Sequence, residues 1–504
     1  MVHHSGMKKA PLIVLALSLA FSLIAHAERT WIGNVTLVSP ERIDRVEKGG
    51  VLIDDGRIVS VQRGDVKAPG DAKGVDGGGR FLVPGLIDSH VHLALFPGTL
   101  DTDSLDPAMV RAYFAQLPRS YLYYGYTSLV DLIVFDKPVL DDFRKAPLHP
   151  DLYDCGEAVP MANGYPMVIL PPERAYQAFP NFLVDPAHPV PLPGGVKPED
   201  HTPEAAVARV KASGAICLKT FIEPGIGKGR NLPSPSAEML SRLRKAATAA
   251  GLVMVVHANR FDTQRKAMDA GADVIAHGMW QWGELDSAKE VPPEIAAFLD
   301  RVAASGAGYQ PTMRVIYGES AYFDPKYLDD PEMYKVVPRA LVEWFKSPQG
   351  GQFVKAIAPP GASAAAMTDM YMNGLLRRDR LVTAYLDRKG ADLIFGTDTP
   401  SAPTYGNLPG LNGYLEMKEW SAAGVPLSRI FRAATLDNAK RFNLDKDVGS
   451  IEPGKAANLL LMEKNPLQSL DAYDSIVTVW IRGKPVAREA LAANPAPPSR
   501  PAAR

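Results

Sequence analysis

Cysteine is scarce in this sequence of 504 residues, which contains only Cys155 and Cys217. Two thiolates cannot build the three- and four-cysteine clusters of structural zinc sites, so a cysteine-rich metal centre is excluded. Both residues lie in apolar, strand-like runs, and free cysteine is among the most buried residue types. We therefore favour two buried thiols, with a strand-to-strand disulfide as the alternative that an oxidising compartment would permit.

An excess of positive charge is also lacking, because 55 basic and 56 acidic residues give a formal net charge of −1. No basic run or stripe stands out, which argues against nucleic acid or an anionic membrane as a partner. After residue 27 no apolar run is long enough to span a bilayer, so we expect no stable membrane insertion of the mature chain. A small-molecule substrate is the expected partner, and a homo-oligomer stays open.

The N-terminus has the order of a secretory signal. Lys8 and Lys9 precede a short apolar stretch, which ends at the small residues Ala25-His26-Ala27. We expect residues 1–27 to be a signal peptide that is cleaved after Ala27, which predicts a periplasmic or secreted protein. An uncleaved membrane anchor is the alternative, but the apolar stretch is short for a spanning helix.

The two ends of the mature chain are rich in strand patterns. Residues 28–84 and 446–488 contain short β-rich runs that are broken by Gly, Asn and Pro. Asp54-Asp55-Gly56-Arg57 is a hairpin signal between two such runs. These pieces predict one small β-domain that both ends build together, followed by a Pro- and Ala-rich disordered tail over 489–504.

The middle of the chain, residues 85–445, alternates eight short apolar runs with helical patterns. Such alternation predicts an α/β fold with a parallel sheet that is buried on both faces. Eight units fit a (β/α)8 TIM barrel with insertions at about 159–201 and 314–378. Long loops in a compact domain are usually functional, so we expect both insertions to build the substrate pocket.

Metal-binding residue types stand at the ends of four predicted strands. His90 and His92 follow the first strand, His257 the fifth, His277 the sixth and Asp398 the eighth. Catalytic groups of barrel enzymes lie at the carboxyl ends of the strands, so these residues should converge on one rim. A single histidine at a strand end is more often an ordinary polar residue, but imidazoles and a carboxylate together suit Zn²⁺.

Lys219, at the end of the fourth predicted strand, would point into a mostly apolar rim. One interpretation is a lysine that extends along the apolar surface to reach water. The other is a buried amine with a depressed pKa, which can react with CO₂ to form a carbamate. A carbamate would carry negative charge and could bridge two metal ions.

The motifs in this order resemble the amidohydrolase superfamily, in particular its imidazolonepropionase-like and prolidase-like members. The resemblance covers most of the mature chain. Five segments carry it: FLVPGLIDSHVH (81–92), GYTSLVDL (125–132), LVMVVHANRFDTQRKAMDAGADVIAHG (252–278), DLIFGTDTP (392–400) and AATLDNAKRFNLDKDVGSIEPGKAANLLLMEKNPL (433–467). It implies a metal-dependent hydrolase barrel with a composite β-sandwich formed by both ends of the chain.

The resemblance also implies roles for six metal ligands. It assigns His90 and His92 to a first metal ion, His257 and His277 to a second, a carboxylated Lys219 to the bridge between them, and Asp398 to the first ion. The implied cofactors are two divalent ions, with zinc as the first choice, or a single ion. Asp398 would also handle the proton, and Tyr165 would polarise the substrate carbonyl. Asn259 departs from the family pattern, because many relatives have a histidine there.

Together these features predict an exported metal-dependent amidohydrolase. It would cleave an amide-type C–N bond of a dipeptide, an N-acyl amino acid or a cyclic amide by a metal-bound hydroxide. A lactonase or phosphotriesterase with the same two-metal site is an alternative. A single-metal deaminase is disfavoured because no glutamate follows His257 closely. A binding module with an inactive site is the alternative from another class.

Overall fold

The computed structural model of the chain describes Met1 and residues 29–225, 231–324, 326–352, 361–401 and 404–495. The predicted signal peptide and its cleavage site lie outside these residues, apart from Met1. Among the described residues, no helix combines the length and the apolar character needed to cross a membrane.

Sixteen strands are formed by the described residues. In chain order, β1 to β16 are Thr30–Leu37, Glu47–Asp54, Arg57–Arg63, Lys73–Asp76, Phe81–Pro84, Leu86–Val91, Tyr126–Asp131, Asp151–Asp154, Cys217–Phe221, Val253–His257, Val274–Ala276, Gly308–Gln310, Asp392–Leu393, Leu459–Met462, Ile476–Ile481 and Lys484–Ala487.

Fifteen α-helices are formed by the same parts of the chain. In order, α1 to α15 are Pro107–Tyr123, Lys137–Lys145, Pro172–Ala178, Pro203–Ala212, Ala237–Ala250, Phe261–Asp269, Pro293–Ser305, Met313–Ser320, Met333–Val336, Arg339–Phe345, Ala364–Asp369, Arg377–Arg388, Leu411–Ala422, Leu427–Arg432 and Asn438–Arg441. Two π-helical segments, Met370–Leu376 and Ala433–Asp437, directly precede α12 and α15.

Strands from both ends of the chain form one sheet of eight, in the order β16-β15-β14-β5-β1-β2-β3, with β4 also paired to β1. The pairing of β14 with β5 joins the C-terminal strands to the N-terminal ones. The predicted hairpin is confirmed, because Asp55 and Gly56 both adopt positive φ between β2 and β3. Both ends of the chain therefore build one β-sheet together, and its arrangement as a β-sandwich stays a prediction.

The middle of the chain forms the parallel layer that was predicted. All eight predicted strands are present as β6 to β13, and every pairing among them is parallel. Every residue of β6 and β7 is buried, as expected for strands covered by helices on both faces. The α/β class is therefore confirmed.

These eight strands form two ladders, β6-β7-β8 and β9 to β13, and not one closed barrel. At one seam, Ile216 donates its backbone N–H to the Asp154 carbonyl at 3.0 Å. At the other seam, Ser89 donates to the Phe395 carbonyl at 3.2 Å. Regular pairing stops early there because β13 has only two residues and the chain then turns towards Asp398, whose φ is +56°. Barrel closure stays a prediction.

A disulfide between Cys155 and Cys217 crosses the first seam. Cys155 follows β8 and Cys217 begins β9, and both side chains are fully buried. The preference for two free thiols was therefore wrong. Apolar sequence context indicates burial equally for a thiol and for a disulfide, and only the distance between the two strands decides between them.

A polar cluster attaches the terminal sheet to the parallel layer. Asp151 of β8 accepts hydrogen bonds from Asn458 at 2.7 Å and from Arg482 at 2.8 Å. The Asn458 side chain also accepts from the Arg482 backbone N–H at 2.8 Å. Because each buried polar group here has a partner, the contact fixes how the two parts meet.

The last described residues differ from the prediction of a disordered tail from residue 489. Leu491 and Ala492 are buried, and Gln116 donates to the Leu491 carbonyl at 2.9 Å. The Ala493 backbone donates to Lys335 at 2.8 Å. Burial of Leu491 holds this segment against the body of the protein. Residues 496–504 lie outside the described part of the chain.

Replacement of both cysteines by serine should lower the free energy of unfolding by about 2–4 kcal/mol, because the unfolded chain loses a crosslink over a separation of 62 residues. Urea denaturation followed by fluorescence measures this loss. Adding reductant to the wild type should reproduce it, and the same reductant should leave the double variant unchanged. Equal stability of oxidised and reduced protein would contradict a structural role of the disulfide.

Candidate functional site

The carboxyl ends of the parallel strands surround one cavity of about 270 Å³. All of the predicted site residues line it, although they come from positions spread over more than 300 residues of chain: His90, His92, Tyr165, Lys219, His257, His277 and Asp398. The fold thus brings the whole predicted set together, as expected for residues at one edge of parallel strands.

His90, His92 and Asp398 form the most compact group in the cavity. One ligand atom from each lies within 4.8 Å of the others, an arrangement that could hold a metal ion. Asp398 Oδ1 is 3.2 Å from His90 Nε2 and 2.8 Å from His92 Nε2. Strand periodicity explains the histidine pair, because residues two apart face the same side of β6.

His257 and His277 lie beside this group. Their ring centroids are 4.4 Å apart, and the His277 ring is 5.1 Å from that of His90. His277 Nδ1 is also 3.8 Å from Asp398 Oδ2. The four imidazoles and the carboxylate therefore form one continuous cluster.

Burial keeps three of these imidazoles neutral. It lowers the pKa of His90 to about 3, aided by the Lys219 ammonium, and it also lowers the pKa of His257 and His277. Burial would raise the pKa of Asp398, but His90 and His92 outweigh this effect and hold the pKa well below its usual range. Neutral imidazoles and an ionised carboxylate are the forms that ligate metals.

Lys219 is buried at the centre of β9, with an exposed fraction of only 1%. Its Nζ has no hydrogen-bond partner among the described residues, which argues against a lysine that reaches water. Burial lowers its pKa to about 7, so a large fraction is the unprotonated amine near neutral pH. A buried amine of this kind is chemically able to form a carbamate.

Two of the histidine rings are held in place by a neighbouring polar side chain that contacts Nδ1. His90 Nδ1 lies 2.7 Å from Gln310 Oε1, and Gln310 donates in turn to Ser89 Oγ at 2.8 Å. His277 Nδ1 lies 3.0 Å from Thr312 Oγ1. Both contacts occupy Nδ1, so Nε2 of each ring stays available to the cavity. Sequence analysis missed Gln310 and Thr312, although both lie at or just after the end of β12.

Unfavourable backbone conformations also concentrate at the cavity. His277, Thr312 and Asp398 all have positive φ, at +80°, +49° and +56°. Such conformations cost about 1–3 kcal/mol each in non-glycine residues and persist where the surrounding structure enforces them. They turn the chain at the end of each strand, so that the side chain is directed to the cluster.

Glu223 is a functional candidate that sequence analysis missed. It follows β9 by two residues and is buried, with Oε2 3.6 Å from His257 Nε2. Asn259 Nδ2 lies 3.4 Å from the same His257 nitrogen. No glutamate follows His257 closely in sequence, but Glu223 brings a carboxylate to it from the neighbouring strand. A polar residue just after the Lys219 strand was the only available signal.

Apolar side chains form the outer wall of the cavity, namely Phe96, Phe135, Ile169, Leu170 and Phe179. The last three belong to the predicted insertion at 159–201, which confirms that this loop lines the pocket. The insertion at 314–378 supplies none of the described lining residues. Its Tyr322 packs against Tyr405 with ring centroids 4.2 Å apart, and the expected role of this insertion in the pocket stays a prediction.

Tyr165, also from the first insertion, stands with its ring 4.9 Å from that of His257 and 5.8 Å from Phe221. Burial raises the pKa of its hydroxyl well above the usual range, so this group stays protonated and can act as a hydrogen-bond donor. Its place in the cavity is compatible with the predicted contact to a substrate carbonyl.

Comparison with known proteins agrees with this architecture. Residues 372–486 match the Amidohydrolase family. A 78-residue stretch is 41% identical to 5′-deoxyadenosine deaminase of Methanothermobacter thermautotrophicus, over 14% of this chain and 18% of that protein. The chain therefore matches less than a fifth of the length of this curated relative.

Similar solved structures include a Xaa-Pro dipeptidase (19% identity, 91% of this chain and all of the other, TM-score 0.63). Ochratoxinase of A. niger aligns over 91% of this chain and 96% of its own, with 19% identity and a TM-score of 0.60. Molinate hydrolase aligns over 95% and 99%, with 16% identity and a TM-score of 0.64. The family model thus matches the C-terminal part of the described chain, and these solved structures share its fold.

Proposed function

We propose that the protein is a metal-dependent hydrolase of an amide-type C–N bond. One observation carries the proposal: four imidazoles, an ionised carboxylate and a buried lysine converge on one cavity. No other arrangement of the described residues assembles ligands of this kind within bonding reach of one ion. No histidine is among the described residues that line a cleft at the amino ends of the strands, near Arg244, Asp273 and Asp392.

Unpartnered buried atoms support the binding of divalent ions. Three nitrogen atoms are buried without a hydrogen bond to any described residue: His90 Nε2, His92 Nδ1 and Lys219 Nζ. A buried polar atom without a partner costs about 1–3 kcal/mol, and natural structures rarely leave several together. Nitrogen and carboxylate donors of this type suit zinc, so ions would satisfy the atoms that the protein leaves unpaired.

In this proposal His90, His92 and Asp398 would hold one ion, and His257 and His277 would hold a second. Lys219, carboxylated by CO₂ with loss of an amine proton, would supply a further ligand to both. Bound zinc would act as a Lewis acid and would lower the pKa of a coordinated water to about 7. A single ion at the first group is the simpler variant of the same site.

The protein's own groups have distinct tasks. Asp398 would accept a proton from the attacking water and pass it to the leaving nitrogen, a transfer that typically contributes ~10²–10⁴-fold to the rate. The Tyr165 hydroxyl donates to the substrate carbonyl and orients it. The apolar outer wall excludes bulk water and so strengthens the electrostatic interactions inside.

The substrate is an amide with an apolar part that contacts the outer wall, such as a dipeptide or an N-acyl amino acid. The shared fold with a Xaa-Pro dipeptidase and an ochratoxinase supports this class. A lactonase or phosphotriesterase would use the same metal ligands, so only assays with the corresponding substrates distinguish these activities from amide hydrolysis. Closure of the eight strands into a (β/α)8 barrel is part of the proposal, supported by the hydrogen bonds across both seams.

Export to an oxidising compartment is likewise proposed. The sequence order of residues 1–27 supports it, and so does the disulfide between Cys155 and Cys217, since disulfides persist mainly outside the reducing cytosol.

Purified protein should contain one to two equivalents of a transition metal by elemental analysis. A substrate panel of dipeptides, N-acyl amino acids, lactones and 5′-deoxyadenosine identifies what the protein hydrolyses. Dialysis against a chelator should abolish this hydrolysis, and added zinc should restore it. His90→Asn should lose metal, whereas His149→Asn, a histidine outside the cavity, should retain it. A metal-free protein that remains active would overturn the proposal.

Lys219→Ala should remove the bridging ligand and lower the metal content towards one equivalent or less. Acetate, added at millimolar concentration, should partly restore both metal content and activity, because its carboxylate replaces that of the carbamate. Lys440→Ala, an exposed lysine at the amino ends of the strands, is the matched control. Unchanged metal content in Lys219→Ala would exclude the carbamate.

Gln310→Leu should weaken zinc affinity by roughly 10–100-fold, because His90 loses the group that orients its ring. Gln310→Glu keeps an acceptor next to His90 Nδ1 and should bind zinc more tightly than the leucine variant. Competition with a chromophoric chelator measures both affinities. Equal affinity in all three proteins would show that Gln310 does not position His90.

A further inference from the structure

Glu223 is a buried carboxylate that the proposed chemistry leaves without a task. Its side chain is 2% exposed. Oε1 accepts the Gly225 backbone N–H at 2.7 Å, which anchors the side chain at the end of β9. Oε2 has no hydrogen-bond partner among the described residues. A buried carboxylate oxygen without a donor is costly, so this atom indicates a neighbour that supplies a proton.

The His257 ring lies next to Oε2. Oε2 is 3.6 Å from His257 Nε2, slightly beyond hydrogen-bond distance. Asn259 Nδ2 is 3.4 Å from the same nitrogen, and this amide also interacts with the Glu223 carboxylate. The Glu223 carboxylate is therefore a buried acceptor beside His257 Nε2, whereas the ring itself borders the cavity.

A carboxylate accepts hydrogen bonds and never donates them when ionised. The favourable arrangement beside Glu223 thus places the imidazole proton on Nε2 of His257. The lone pair is then on Nδ1, which is the opposite choice from His90 and His277, whose Nδ1 atoms contact Gln310 and Thr312. Metal-binding histidines commonly use one nitrogen for the ion and the other for such a partner.

We propose that Glu223 is the positioning residue of His257: it fixes the ring orientation and the tautomer that presents Nδ1 to a metal ion. This inference rests on the proposed function, because it concerns the second ion of that site. Each strand-end histidine except His92 then has its own polar neighbour that orients the ring. These neighbours are Gln310 for His90, Thr312 for His277 and Glu223 for His257. Glu223 is the only charged member, which would make His257 the most electron-rich of these ligands.

Zinc affinity tests the inference without measuring catalysis. Glu223→Ala should weaken the second zinc equivalent by roughly 10–100-fold in chelator competition, and Glu223→Gln, which still offers an acceptor oxygen, should weaken it less. Glu419→Gln, a buried glutamate of α13 that pairs with Arg380, is the matched control and should retain wild-type affinity.

A double-mutant cycle separates positioning from a general structural role. In a His257→Ala background, Glu223→Ala should cause no further loss of zinc affinity, because its effect acts through that ring. Wild-type affinity in Glu223→Ala, or an equal additional loss in the His257→Ala background, would overturn the inference. If the wild-type protein binds no second zinc ion, the two-ion site of the proposed function is wrong. This outcome differs from failure of the inference on Glu223, because it appears in a protein in which Glu223 is intact.

Discussion

Asp398 connects the last strand of the parallel layer to the first in two ways. Its backbone N–H donates to the His90 carbonyl at 2.7 Å across the seam between β13 and β6. Its carboxylate simultaneously contacts both histidines of β6. The same residue therefore helps to join the ends of the strand layer and to assemble the cluster. Its positive φ shows that the chain accepts an unfavourable conformation to make both contacts.

Desolvation governs the rest of the site. Burial lowers the pKa of His90, His257 and His277, depresses the pKa of Lys219 and leaves several polar atoms without hydrogen-bond partners among the described residues. Each of these effects would destabilise an isolated polar cluster in a protein interior. Together they describe a set of ligands whose unpaired atoms are complementary to divalent cations. Three neighbouring polar side chains contact the imidazoles of His90, His277 and His257, namely Gln310, Thr312 and Glu223. Such contacts restrict ring orientation, so that the nitrogen atoms facing the cavity are positioned in the absence of an ion.

The sequence allowed much of this arrangement to be predicted. Apolar runs identified all eight parallel strands, and the rule that functional residues follow such strands identified every member of the histidine, lysine and aspartate cluster. The pairing of Cys155 with Cys217 could not be predicted, because it depends on the spacing of β8 and β9. Glu223 was missed for a related reason: its partner His257 is close only across the sheet. The alternation of apolar and polar residues also does not reveal how strongly the terminal sheet curves. It therefore cannot distinguish one sheet from two facing sheets.

The two-zinc site is tested most directly by X-ray data collected at the zinc absorption edge from zinc-loaded crystals. Such a site predicts two anomalous peaks in the cavity, one bounded by His90, His92 and Asp398 and one bounded by His257 and His277. A carboxylated lysine predicts continuous electron density beyond Lys219 Nζ, between the two peaks. An ordered cavity without an anomalous peak at these residues would contradict it.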